Sequence, residues 1–170
     1  MSWGTLYYLK GEIMTNIISE YWAKKVNLGG KGGKEKLLKR VFLKSQRINA
    51  PLFDIIDANG GLRELKKQAN VQWFDIGKYH LLCDQDKSIL MTFIMHEKGK
   101  IQKIMEIELG RMLDLLRGNE KYRQWGWTNS NIEMCWMQKV KYPTQQAKVK
   151  VEVKKFFAEN EEEFTILWRR

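Results

Sequence analysis

The chain has 170 residues, is 44% hydrophobic and carries two prolines, which is the size and make-up of one compact domain with a single core. Its 30 Lys+Arg against 20 Asp+Glu leave a formal net charge of +10, a balance that suits a polyanionic partner, either nucleic acid or an anionic membrane. There is no apolar run of about 18 residues and no basic amphipathic helix with an anchoring tail, so the membrane partner is set aside. The opening residues lack a basic stretch followed by a long apolar one, and a cytoplasmic protein is expected. Cys83 and Cys135 stand far apart, outside any CxxC or Cys/His spacing, and read as reduced packing residues.

The helical pattern begins only after Met14, which marks Met14 as a second candidate start and residues 1–14 as an appendage. From Thr15 to Lys25 the apolar Ile17, Ile18, Tyr21 and Trp22 fall at helical spacing, with Thr15 or Asn16 as the cap. The glycine-rich stretch Gly29 to Gly33 breaks this helix. Leu37, Leu38, Val41, Phe42 and Ile48 then mark one face of a second helix ended by Pro51. Its other face is basic: between Lys24 and Arg47 there are nine Lys/Arg and one acid, Glu35. Lys31 and Lys34, in or beside the glycine loop, are candidate contacts to DNA phosphates. The GxxxxGK[ST] order of a nucleotide-binding loop is absent, and a plain inter-helix turn is an equal alternative.

Leu52 to Ile56 reads as a strand entering the turn Asp57-Ala58-Asn59-Gly60-Gly61, with Leu62 to Ala69 as its return. A helix is expected around Trp73 to Leu82. Ser88 to Met95 and Ile101 to Glu108 form a second hairpin whose first strand, rich in apolar residues, is central. Gly110 to Arg117 is a short helix, Asn131 to Val140 a strand, and Ala147 to Phe157 is ambiguous between strand and helix, with helix preferred. Trp73, Trp136 and Trp168 are read as core or interface residues and His96 as a surface residue.

The first hairpin carries the chemistry. Its turn brings Asp54 near Glu64, and Glu64, Lys66 and Gln68 occupy alternate positions on one strand face. Two carboxylates offer hard oxygens to magnesium, which activates water and neutralises a phosphate; Lys66 supplies a second positive charge, and Gln68 can orient the water or a metal ligand. Such spacing also arises by chance in a chain this charged. The rival reading is a non-catalytic basic nucleic-acid-binding module in which Asp54, Glu64 and Lys66 are a surface ion pair.

The run Phe53 to Lys66, with an Asp followed at this interval by Glu64-Leu65-Lys66, resembles the catalytic hairpin of PvuII-type restriction endonucleases, a branch of the PD-(D/E)xK superfamily. Counterparts follow in the same order at Gly77-Lys78-Tyr79-His80, the hairpin Ile89 to Leu109 and Lys121 to Trp125, so the likeness spans about residues 50–140. The added Gln68 resembles other branches, among them resolvase-like nucleases and a homing endonuclease type. The resemblance implies an α/β (α+β) fold with a central mixed sheet flanked by helices. It further implies magnesium-dependent cleavage of double-stranded DNA, with Asp54 and Glu64 as metal ligands and Asp54, Glu64, Lys66 and Gln68 as the catalytic set, in a homodimer or homotetramer. Both restriction and homing roles fit. Residues 143–170 have no counterpart and are read as an extension serving oligomerisation.

For base recognition, Arg123, Asn129 and Asn131 supply the side-chain types that read guanine and adenine just before a strand, although the same loop also reads as a polar cap with two tryptophans. Lys78 and His80 are further candidate DNA contacts.

Overall fold

The computed structural model describes residues 6–9, 12–48, 53–68, 73–75, 88–118 and 150–170. The first elements are strands β1 (Leu6–Leu9) and β2 (Glu12–Thr15), paired antiparallel from Leu6↔Thr15 to Leu9↔Glu12, so the expected appendage is largely a hairpin. Thr15 therefore ends a strand instead of capping a helix. Asn16 Oδ1 accepts from the Ile18 amide, Ile18 stays extended in a bridge to Phe42, and the helix α1 (Glu20–Lys25) starts later. Its cap is Ser19, whose hydroxyl accepts from Trp22 N, with Glu20 favourably placed in the first turn.

The second helix is shorter than the apolar spacing suggests. Helix α2 (Gly33–Lys36) passes into a π-helical turn, Leu37–Val41, that buries Leu37, Leu38 and Val41. It ends at Phe42, well before Pro51. Ser45 Oγ donates to Leu38 O and Phe42 O, satisfying carbonyls freed at the helix end. Lys44, with φ 50°, turns the chain into strand β3 (Gln46–Arg47), so Ile48 lies beyond the helix.

The remaining elements are β4 (Ile55–Ile56), β5 (Leu62–Gln68), β6 (Trp73–Asp75), β7 (Leu90–Glu97), β8 (Lys100–Glu108), α3 (Leu109–Gly118), β9 (Lys150–Glu152), α4 (Val153–Glu159), a 3-10 turn at Glu161–Glu163, and β10 (Thr165–Arg169). The helix expected from Trp73 gives way, in its described part, to a strand. Trp73 and Phe74 pair antiparallel with Glu152 and Val151, a site where aromatic and branched residues favour a ladder. The ambiguous segment is both things in turn, strand at Lys150–Glu152 and helix from Val153.

The chain divides into two units: Met1–Ala69 with Leu90–Glu106 and Thr165–Arg170, and Asn70–Ile89 with Ile107–Phe164. The six-stranded sheet, ordered β10-β8-β7-β5-β4-β3, is mixed: β5 and β7 pair parallel, while β3/β4, β4/β5 and β8/β10 pair antiparallel. This is the expected α+β architecture with a central mixed sheet. β7 is an inner strand, and Met91, Thr92, Phe93 and Ile94 are all buried, as its apolar run, broken only by Thr92, suggests.

In the first unit, α1, the π-helical turn and the sheet share one core that includes Ala23, Leu28, Leu37, Val41, Ile55, Leu65, Ile94, Ile104 and Trp168. The register fixes which residues of β5 face it: Leu65 belongs to that core, and Arg63, two residues away, lies on the same face. Arg63 is 4% exposed and its guanidinium is hydrogen-bonded through Nε and Nη1. Nε donates to Asp57 Oδ2 at 2.6 Å, and Nη1 donates to Thr92 Oγ1 at 2.9 Å and to Glu106 Oε2. Asp57 in turn organises the β4–β5 loop, its Oδ1 accepting from Asn59 N and Gly61 N at 2.8 and 2.9 Å, while Gly60 adopts φ 83°.

At the β7–β8 turn, Lys98 and Gly99 have φ 51° and 85°, the left-handed pair that matches hairpin twist. The glycine-rich loop docks on this turn: Leu28 N donates to Gly99 O, Gly29 N donates to Asn27 Oδ1, and a Cβ on residue 99 would overlap Asn27 Oδ1 and Gly29 N. In the second unit, α3 buries Leu109, Met112, Leu113 and Leu116, and Phe156, Phe157 and Phe164 form a cluster with ring centroids 5.3 to 5.9 Å apart. Arg111 donates two hydrogen bonds to Glu163, which lower the Glu163 pKa and raise that of Arg111.

Removing one member of a buried ion network leaves the others desolvated and unmatched. Arg63→Ala is accordingly expected to lower stability by about 3 kcal/mol or more, read as a shift of the urea midpoint.

His96 is half-buried on β7, with Nδ1 accepting from Gly99 N at 3.2 Å. Burial, and secondarily the charge of Lys67, hold its pKa below 6.5. The unfolded chain therefore takes up the proton first, so the stabilisation is present above 6.5 and is lost as the pH falls through the depressed folded value. His96→Gln is expected to flatten that acid-side decline in urea midpoints measured across the same range.

Candidate active site

The site is built where β4 enters the sheet. Asp54 stands at a bend immediately before β4, one step beyond the Ile55↔Arg63 pair, and so beside Glu64. Two hydrogen bonds hold it there. Its amide donates to Arg63 O at 2.8 Å, and its Oδ2 accepts from Leu65 N at 2.8 Å, so Asp54 is tied to the backbone on both sides of Glu64. This bend is why the strand before the turn covers only Ile55 and Ile56: the side chain of Asp54 takes a ladder donor that a strand partner would otherwise use.

Glu64 and Lys66 lie on the face of β5 opposite Arg63 and Leu65, as their alternation requires. Glu64 is buried, 5% exposed, in register with fully buried Met91; Lys66 is in register with Phe93, and its Nζ lies 3.5 Å from Glu64 Oε1. A carboxylate so enclosed by apolar neighbours needs a matching cation nearby. Gln68 closes the strand at the register of Met95.

Lys34, read from the sequence as a phosphate contact, comes to Asp54. Its Nζ lies 2.6 Å from Asp54 Oδ1, with the side chain 55% exposed against 17% for Asp54. Lys31 is exposed in the loop before it. Lys24, Lys25, Lys39, Arg40 and Lys44 are exposed, and the one acid of this stretch, Glu35, is shared between Lys39 and Arg47. Arg40 stacks over Trp22 at 4.7 Å and Lys25 lies 5.9 Å from the Tyr21 ring. Of the other candidates, Lys78, His80, Arg123, Asn129 and Asn131 lie outside the described residues, as do Cys83, Cys135, Trp136 and the strand expected at 131–140.

The supports of the site were missed in the sequence although signals for them were there. Asp57 precedes Asn59-Gly60-Gly61, the arrangement in which an Asp side chain caps a turn, and Arg63 stands at an inward position next to Leu65 in the alternation, where only a matched charge is tolerated. Lys34 could be placed only by the fold, twenty residues from Asp54 in sequence.

The donors suit a hard divalent cation. Among the described residues there is no group of three His, Cys, Asp or Glu that could hold a metal. Residues 54 and 64 are cross-strand neighbours, and two carboxylates are a set magnesium ordinarily takes from a protein, with waters and phosphate oxygens completing its shell. Asp54 Oδ1 is held by the Lys34 ammonium. No helix among the described residues is long and apolar enough to cross a membrane. Compared with protein-family models and with curated proteins, the sequence finds no match.

Proposed function

We propose that the protein is a magnesium-dependent endonuclease that hydrolyses phosphodiester bonds of double-stranded DNA at specific sites. The observation that carries this reading is the clamping of Asp54 across Glu64, through Arg63 O and Leu65 N, with Lys66 ion-paired beside it. Asp54 and Glu64 would hold the ion, which when bound lowers the pKa of a water and neutralises charge on the phosphate. Lys66 stays on the Glu64 side of the site, where its ammonium can meet the negative charge that develops on the scissile phosphate. Fully buried Met91 and Phe93, in register with Glu64 and Lys66, reduce water access, which strengthens each of these electrostatic contacts. The exposed lysines between Lys24 and Lys44 supply the sequence-independent attraction to the DNA backbone. Cleavage of both strands calls for two such sites, hence a homodimer or homotetramer.

A second reading is favoured by one feature: each carboxylate already has a lysine, Asp54 with Lys34 and Glu64 with Lys66, as in a non-catalytic basic DNA-binding module. The two readings part on one assay. The nuclease cuts plasmid DNA only when magnesium is added; the module binds it with or without metal and leaves it intact.

Asp54→Asn, Glu64→Gln and Lys66→Ala are each expected to lower cleavage by about a hundredfold or more while duplex binding without metal stays within about threefold of wild type. Cleavage by any of them at the wild-type rate removes that residue from the centre. Lys31→Ala and Lys39→Ala are expected to weaken binding to all duplexes alike and to reduce the slope of log affinity against log salt by about one each, measured by fluorescence anisotropy.

A further inference from the structure

Asp54 has two carboxylate oxygens with different duties. Oδ2 is committed to the Leu65 amide, which fixes the side chain against β5. Oδ1 is the oxygen left to face a cation, and it is taken by Lys34 Nζ at 2.6 Å. A divalent ion taken by that oxygen would have to share it with the ammonium, and two positive charges on one oxygen repel each other strongly. Both cannot keep their places.

The base of Lys34 is fixed in packed backbone while its side chain is exposed to solvent. Gly32 adopts φ 82° ahead of α2, and a Cβ on the buried Gly33 would lie 2.7 Å from Leu28 O and 2.9 Å from Lys67 Nζ, so the backbone is seated tightly against the Leu28 segment. Lys36 reinforces this by donating to Asn27 O at 2.9 Å. The Lys34 side chain itself is 55% exposed, and the stretch around it carries nine basic residues to one acid. Any phosphate drawn to that surface offers Lys34 a second anion.

We infer that Lys34 is a tethered counter-ion that occupies the metal-binding oxygen of Asp54 until a DNA phosphate draws it away. The inference rests on the metal-centre reading and adds a coupling to it: a phosphate on the basic surface frees Asp54 Oδ1 for the metal, and the metal frees Lys34 for the phosphate. Each ligand thereby raises affinity for the other by the same factor, as linkage demands. Without DNA the centre is held at low metal affinity.

The test is a calorimetric titration of the full-length protein with Mn2+ in the absence of DNA, comparing wild type, Lys34→Met, Lys34→Arg and Asp54→Asn, the last alone and combined with Lys34→Met. Lys34→Met is expected to bind Mn2+ about tenfold more tightly than wild type, since the competing positive charge on Asp54 Oδ1 is removed. Lys34→Arg should remain near wild type, and Asp54→Asn should abolish the gain. Equal affinity in wild type and Lys34→Met, with Asp54→Asn weakening both, overturns the role of Lys34 and leaves the metal centre standing. Absence of any Asp54-dependent Mn2+ binding in every variant overturns the metal centre and this inference together.

Discussion

A guanidinium that faces the core of a sheet has to be met by anions, and Arg63 is met by two, Asp57 and Glu106, with Thr92 as a third acceptor. These partners come from the β4–β5 loop, β8 and β7, so one side chain ties together three segments of the first unit. The Asp57 carboxylate passes the constraint on to the loop through Asn59 N and Gly61 N. The loop then fixes where β5 returns beside β4, and that return sets Asp54 between Arg63 O and Leu65 N. A slip of β5 by one residue would turn Arg63 off the core face and bring Glu64 onto it. The buried network therefore acts less as a source of stability than as a specifier of register, the better-attested use of buried charge.

On the other face of β5 the charges serve a different end. Glu64 and Lys66 are a close pair beside Met91 and Phe93, residues that offer no polar group of their own. In such surroundings a carboxylate and an ammonium feel each other, and any incoming ion or phosphate, more strongly than on an open surface. The same strand thus carries a structural charge network inward and a candidate chemical one on the opposite face, separated by the two-residue period of the backbone.

Much of this was legible in the sequence, for identifiable reasons. The β7–β8 hairpin announces itself by an apolar run broken only by Thr92 and a Lys98-Gly99 turn, and α3 by Met112, Leu113 and Leu116 at helical spacing. The strand carrying Glu64 and Lys66 begins at Leu62, where the residues after the glycine turn predict it. The misplaced elements are those where an apolar pair fits two periods equally. Ile17 and Ile18 suit a helix face, yet they sit in an extended segment because Ser19 makes the better cap and Phe42 offers a bridge. Ile48 extended the second helix on paper, but Lys44 and Ser45 end it through a left-handed turn and side-chain bonds that apolar periodicity does not register. Lys34 shows the remaining gap: a lysine in a basic loop looks like one more phosphate contact until the fold sets it on Asp54.

The pairing of β5 with β7 is parallel, with Arg63 against Leu90, and the intervening chain runs through residues assigned to the second unit. A hairpin closes from a few neighbouring residues, whereas a parallel pair must wait for a long excursion to return, and that wait is entropic. In the order of folding, the β4–β5 hairpin can form from local contacts alone, but the strand bearing Glu64 and Lys66 gains its apolar neighbours Met91 and Phe93 only when β7 arrives. Residues 54 and 64 thus become neighbours early and the apolar partners of Glu64 arrive late, so a nascent chain can possess the backbone pairing of the site before Glu64 is enclosed.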